Sequence, residues 1–233
     1  MKSLNAKKPS IVIVDYDVGI PRTELVIVAR ALQKQANQHF AQPPPHGYGI
    51  GCTVRVASKR SPPKEHEWLM GLFKDADQPG ALGYHDETSS GMPLMRIFPL
   101  LAPNEPWSIT ASHELLETLA DPNICRCAQG PDGRIWAYEV CDGVEADSYE
   151  IDGVRVSNFG LPPYFEPPPV LTGVRFDYMG LCTHPYETRK GGYNQYWDGR
   201  GWHQVQNFQR HARQWLNETG RGARRRKKTK AND

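Results

Sequence analysis

The first strong signal in the spacing of apolar residues is 11–15 (IVIVD), a β-branched run between polar residues that predicts a buried first strand. Residues 24–40 follow with apolar side chains at Leu25, Val28, Ala29, Leu32 and Ala36, the spacing of a helix face. Pro21 upstream suits a helix start. The PPPHGYG stretch at 43–49 predicts a turn or extended loop. Residues 53–57 (TVRVA) alternate as a half-buried strand does, and the glycine-punctuated segment after them predicts strands at 81–85 and 94–98. The next strong helix is 107–120, with Asn104 or Ser108 as its cap and Pro122 as its stop. Downstream, 135–141 (IWAYEVC), 149–151 and 154–156 predict strands, and five prolines in 161–170 predict an extended loop. A last helix is expected over 206–217.

Composition turns this pattern into a fold class. With 20 prolines and 21 glycines in 233 residues, the chain must be rich in loops and short elements. We expect a single α+β domain with a mixed sheet over 11–220, between a flexible N-terminus (1–10) and a tail (221–233). The net charge of +2 conceals an asymmetry, because RGARRRKKTK at 221–230 holds seven of the 28 basic residues and no acid. Without 221–233 the body carries 21 basic against 25 acidic residues. The tail has little to bury and is expected to be disordered. It is a candidate for weak contact with nucleic acid, against the plainer reading of a solvated terminus.

No segment approaches the apolar length of a membrane span, and the N-terminus has no secretory pattern. Five cysteines, an odd number, favour reduced thiols and a cytoplasmic setting. Cys125 and Cys127 lack the spacing of a zinc knuckle. No Walker A, G-x-G-x-x-G or G-x-S-x-G pattern occurs.

The chemistry lies in the second helix. His113, Glu114 and Glu117 form H-E-x-x-E, and residues four apart on a helix share one face, so His113 and Glu117 can address one ion. Imidazole nitrogen and carboxylate oxygen are both zinc donors. Glu114, about 100° around the helix, has the position of the general base in zinc peptidases. A third ligand is sought in Glu139-Val-Cys-Asp142-Gly-Val-Glu145. Glu139 is the first choice because a carboxylate inside an apolar run is costly to bury without a cation; Asp142 comes next, then Glu145. Asp121 is open to three roles: ligand, outer partner of a ligand, or turn residue. The plain alternative for the whole motif is a solvated acidic helix face.

Larger blocks carry a resemblance. ITASHELLETLADP, AYEVCDGVE, YEIDGVRVSNF and PPYFE resemble a group of uncharacterised bacterial and phage-borne proteins with the order SHELLE-x-LADP, AYEVCD and V-S-(D/N)-F. The likeness spans about residues 11–205 and includes PGALGYHD, GMPLMRIFP and Gly191-Gly192-Tyr193. More distantly, the pattern is similar to plant phosphate-induced (exordium-like) proteins and to zincin metallopeptidases. The resemblance implies a zincin-like fold with 81–85 as the strand bordering the cleft. It also implies a bound zinc or other divalent cation, His113 and Glu117 as ligands, Glu114 as base, and a peptide or protein substrate. Glu117 departs from the histidine that most zincins carry, adding negative charge and weakening the metal as a Lewis acid.

The resulting expectation is a zinc-dependent hydrolase, most consistent with a peptidase. Its rivals are a non-catalytic module with a structural metal and a nucleic-acid-associated protein acting through the tail. Secondary candidates are His85 and Asp86 at a strand end, Ser157 and Asn158 in a loop, and the aromatic residues Tyr193, Tyr196, Trp197 and Trp202, for which packing is the plainer role.

Overall fold

A computed structural model describes residues 8–58 and 60–207. Strand β1 (Ser10–Asp15) leads into helix α1 (Arg22–Lys34), and β2 (Thr53–Val56) and β3 (Trp68–Leu72) follow. β4 (Gly83–Glu87), β5 (Pro93–Ile97) and helix α2 (Trp107–Ala120) complete the N-terminal half. Then come β6 (Cys127–Gln129), β7 (Ile135–Ala137), β8 (Ser148–Ile151), β9 (Val154–Ser157), the one-turn helix α3 (Pro162–Phe165), β10 (Tyr193–Trp197) and β11 (Trp202–Gln206).

The first five strands make one mixed sheet in the order β2-β1-β3-β5-β4. All its pairings are parallel except the last, where β4 runs antiparallel to β5 at the sheet edge. Side chains alternate across a strand, so Ile11 and Ile13, Met70 and Leu72, and Met95 and Ile97 share a face. They join Leu25, Val28 and Leu32 of α1 and Leu115, Leu116 and Leu119 of α2 in the main core. β6, β7, β10 and β11 form a second, antiparallel sheet, and β8–β9 is a separate hairpin. Among the described residues no helix is long and apolar enough to cross a membrane.

Several elements depart from expectation for identifiable reasons. The helix expected over 24–40 is α-helical only to Lys34 and continues as a π-helical turn, Gln35–Phe40. The wider turn lets buried Gln35 donate to the carbonyl of Ser157 at 2.9 Å, while Asn37 donates to those of Gln33 and Cys52. β3 was hidden by Gly71, which looks like a breaker but leaves room for a ring: a Cβ there would meet Phe73 at 2.6 Å. The strand expected over 135–141 ends at Ala137. Two prolines open α3 inside the expected loop, where a helix's first turn tolerates them. The helix expected over 206–217 lies outside the described residues except at its start, where Gln206 ends β11, and so does the basic tail.

Candidate metal centre

α2 forms over the span its periodicity predicts, but neither expected cap is used. Pro106 stands at the N-cap, and the Ser108 hydroxyl donates to the carbonyl of Arg155. Every residue of α2 except Thr110 is buried. An all-round buried helix normally reads as apolar, yet this one takes His113, Glu114 and Glu117 into the interior at 6%, 1% and 0% exposure. At its end, Asp121 accepts the backbone N–H groups of Cys125 and Arg126 at 3.0 and 2.9 Å, the role of a turn residue.

Two further segments meet these side chains. β4 runs along α2, and Gly83 permits the approach, since a Cβ there would lie 2.6 Å from Thr110 Cγ2 and 3.2 Å from Glu114 Cγ. Two residues on, the fully buried imidazole of His85 presents Nδ1 to Glu114 Oε2 at 3.3 Å and to Glu117 Oε2 at 3.6 Å. From the other side, a 3-10 turn at Asp142–Val144 follows β7 and brings Asp142 Oδ1 to 3.1 Å from His113 Nε2. Glu117 Oε1 lies 3.2 Å from the same nitrogen and accepts the Cys141 N–H at 3.2 Å. Gly143 makes this turn possible: a Cβ there would collide with the Tyr164 hydroxyl and stand 3.2 Å from Asn194 Nδ2.

The outcome is two overlapping groups that could hold a metal ion, His113–Glu117–Asp142 and His85–Glu114–Glu117, all buried, with donor atoms within 4.8 Å of one another inside each group. Of the third-ligand candidates, Asp142 joins His113 and Glu117. Glu139 is buried as its apolar neighbours suggest, and its Oε2 lies 3.7 Å from Nε2 of His85. Glu145 follows the 3-10 turn and is only partly buried.

Distances bear on what the groups do. Charge-assisted hydrogen bonds between imidazolium and carboxylate run about 2.7–2.9 Å. Donors held 2.0–2.2 Å from a tetrahedral cation stand about 3.3–3.6 Å apart. Within the cluster, three of the closest imidazole–carboxylate separations, at 3.2–3.6 Å, lie nearer the second spacing, and the 3.1 Å between His113 and Asp142 falls midway. Charge points the same way. Glu114, Glu117, Glu139 and Asp142 are each at most 3% exposed beside the two imidazoles, and a cation among them lowers the cost of burying such acids as carboxylates. The residues therefore suit a cation.

The secondary candidates sort differently. His85 moves to the centre, whereas Asp86 stays partly exposed and accepts the N–H of Glu87. Ser157 is engaged within the fold: its N–H donates to Ser112 Oγ, its carbonyl accepts from Gln35 and its hydroxyl donates to Asn158 O, while Asn158 donates to Asp177. Tyr196 packs against Trp136 and His203, and Trp197 meets Trp202 edge-on, all within the second sheet. No family model matches the chain, and no curated protein or solved structure matches it either.

Proposed function

We propose that the chain is a zinc-dependent hydrolase of zincin-like architecture acting on a peptide or protein, its cation held by His113, Glu117 and Asp142. The observation that carries the reading is the convergence of these three donors from two turns of α2 and the turn after β7, at 3.1–3.2 Å around one imidazole nitrogen. The antiparallel edge strand β4 beside α2 supports the zincin-like assignment and a peptide substrate, because an extended chain can add to a sheet edge through backbone hydrogen bonds. A bound zinc supplies Lewis acidity toward a carbonyl and favours ionisation of water. Glu114 accepts the proton of the attacking water and returns it to the leaving amine. His113 and Asp142 remain fixed through that exchange, and the Cys141 N–H keeps Glu117 oriented.

Burial favours one competing reading. The most exposed of the clustered side chains, His113, is 6% accessible, as suits a closed structural site; a catalytic metal keeps a position open. Glu114→Gln decides between them. In the hydrolase it abolishes cleavage of a peptide library while the His113 site keeps its zinc. A wild-type chain that binds zinc but cleaves no peptide, and unfolds at lower temperature as His113→Ala, is a structural clip.

A further inference from the structure

We infer that the chain holds a second divalent cation, bound by His85, Glu114 and Glu117, so that Glu117 bridges a two-metal centre. The inference extends the proposed metal centre and shares only Glu117 with the ligand set assigned there.

Glu117 is built for sharing. Its two oxygens face different imidazoles, Oε1 toward His113 Nε2 at 3.2 Å and Oε2 toward His85 Nδ1 at 3.6 Å. A bridging carboxylate holds two ions about 3.5–4 Å apart, the separation of two-metal hydrolytic sites.

His85 gives an independent indication. It is fully buried, its Nε2 makes no hydrogen bond, and that nitrogen faces Glu139 Oε2 at 3.7 Å. A histidine that binds a metal through one nitrogen characteristically directs its other N–H at a carboxylate. With Nδ1 as the ligand, Glu139 stands on the side where that outer partner would sit, at 3.7 Å.

Charge gives a third. Glu114, Glu117, Glu139 and Asp142 are all buried side chains of the carboxylate type. As carboxylates, four such acids would match the charge of two divalent ions, and cations lower the cost of burying them. The mixed imidazole and carboxylate donors suit zinc or manganese. Glu114 would bind through Oε2, the oxygen that faces His85, which leaves Oε1 for the proton-accepting role.

The test is metal stoichiometry on the full chain loaded with zinc, alongside electron paramagnetic resonance of the manganese-loaded chain. Two zinc per chain are expected, falling to one in His85→Ala and to one in His113→Ala, with far-UV circular dichroism confirming that both variants fold. Two manganese ions should give a spin-coupled spectrum, a readout on the wild type that holds even where a variant misfolds. A single equivalent, or two uncoupled manganese ions, overturns the second site. If that single equivalent survives His85→Ala and is lost in His113→Ala, the hydrolase reading still stands. A wild-type chain that takes up no metal sinks both.

Discussion

Stripping the metal with a chelator should destabilise the chain by an amount that can be worked out. Ligand that binds only the folded state adds about 2.7 kcal/mol at a free concentration 100-fold above Kd. In a domain of this size each kcal/mol moves Tm by about 2–4 °C, so one lost zinc lowers Tm by about 5–11 °C. Four acidic side chains at 0–3% exposure that lose a neighbouring cation push in the same direction. Two independently bound ions would double the linkage contribution. The assay is thermal unfolding by circular dichroism before and after dialysis against the chelator, then with zinc restored. The full Tm should return on adding zinc to wild type but not to His113→Ala. An unchanged Tm after chelation, with no metal by elemental analysis, would refute the assignment of the cluster as a cation site.

Three further outcomes test the surrounding structure. Glu67 accepts from Arg55 Nε and Nη2 at 2.6 and 2.5 Å, and those bonds hold its carboxyl down at about 2. Glu67→Gln should therefore cost about 1.5–3 kcal/mol in chemical denaturation at neutral pH. A folded-state pKa below the usual value stabilises above the carboxylate's ordinary 4.5, and the gain is lost as pH falls toward 2, so the gap between variant and wild type should close in acid. Gly83→Ala puts a Cβ 2.6 Å from Thr110 Cγ2 and must part β4 from α2, costing about 1–3 kcal/mol and loosening metal binding; a variant with wild-type Tm and zinc affinity would count against the described contact. Of the five free thiols, Cys125 and Cys127 are exposed while burial pushes Cys52 up to about 12 and raises Cys182, so a native thiol titration should show two fast groups and five after denaturation.

Local pattern carried the parts of the site that lie on one element. The four-residue spacing of His113 and Glu117 needs only a helix to become a shared face, and an apolar run with a firm proline stop made that helix readable. The apolar neighbours of Glu139 likewise signalled a buried acid, and it is 3% exposed. What local pattern could not say is which imidazole that acid would face. The answer depends on β4, more than fifty residues earlier, pairing with β5 and lying against α2 through Gly83. A single histidine at a strand end carries no sign of that arrangement, so sequence alone makes His85 only a secondary candidate. Asp142 was underrated for a related reason. Its approach to His113 comes from a 3-10 turn that Gly143 allows by leaving space for Tyr164, a packing fact invisible in the sequence. β3 was missed because Gly71, a breaker by propensity, is in fact the place where a strand accommodates the ring of Phe73.

The glutamate at position 117 then takes on a different meaning from the one its substitution for histidine first suggests. Considered alone, a carboxylate there adds negative charge and blunts a metal's Lewis acidity. An imidazole in its place would present its two nitrogens on opposite edges of a rigid ring and could not serve two ions a few ångströms apart. A carboxylate offers two oxygens on the same side, and at Glu117 these oxygens do face the two imidazoles of the two groups. The cost of the extra charge would therefore be smaller with two ions than with one, because a second cation adds positive charge beside Glu117 and Glu114. On that reasoning the H-E-x-x-E pattern, the buried His85 and the surplus of acids are one feature, and each is hard to explain without the others.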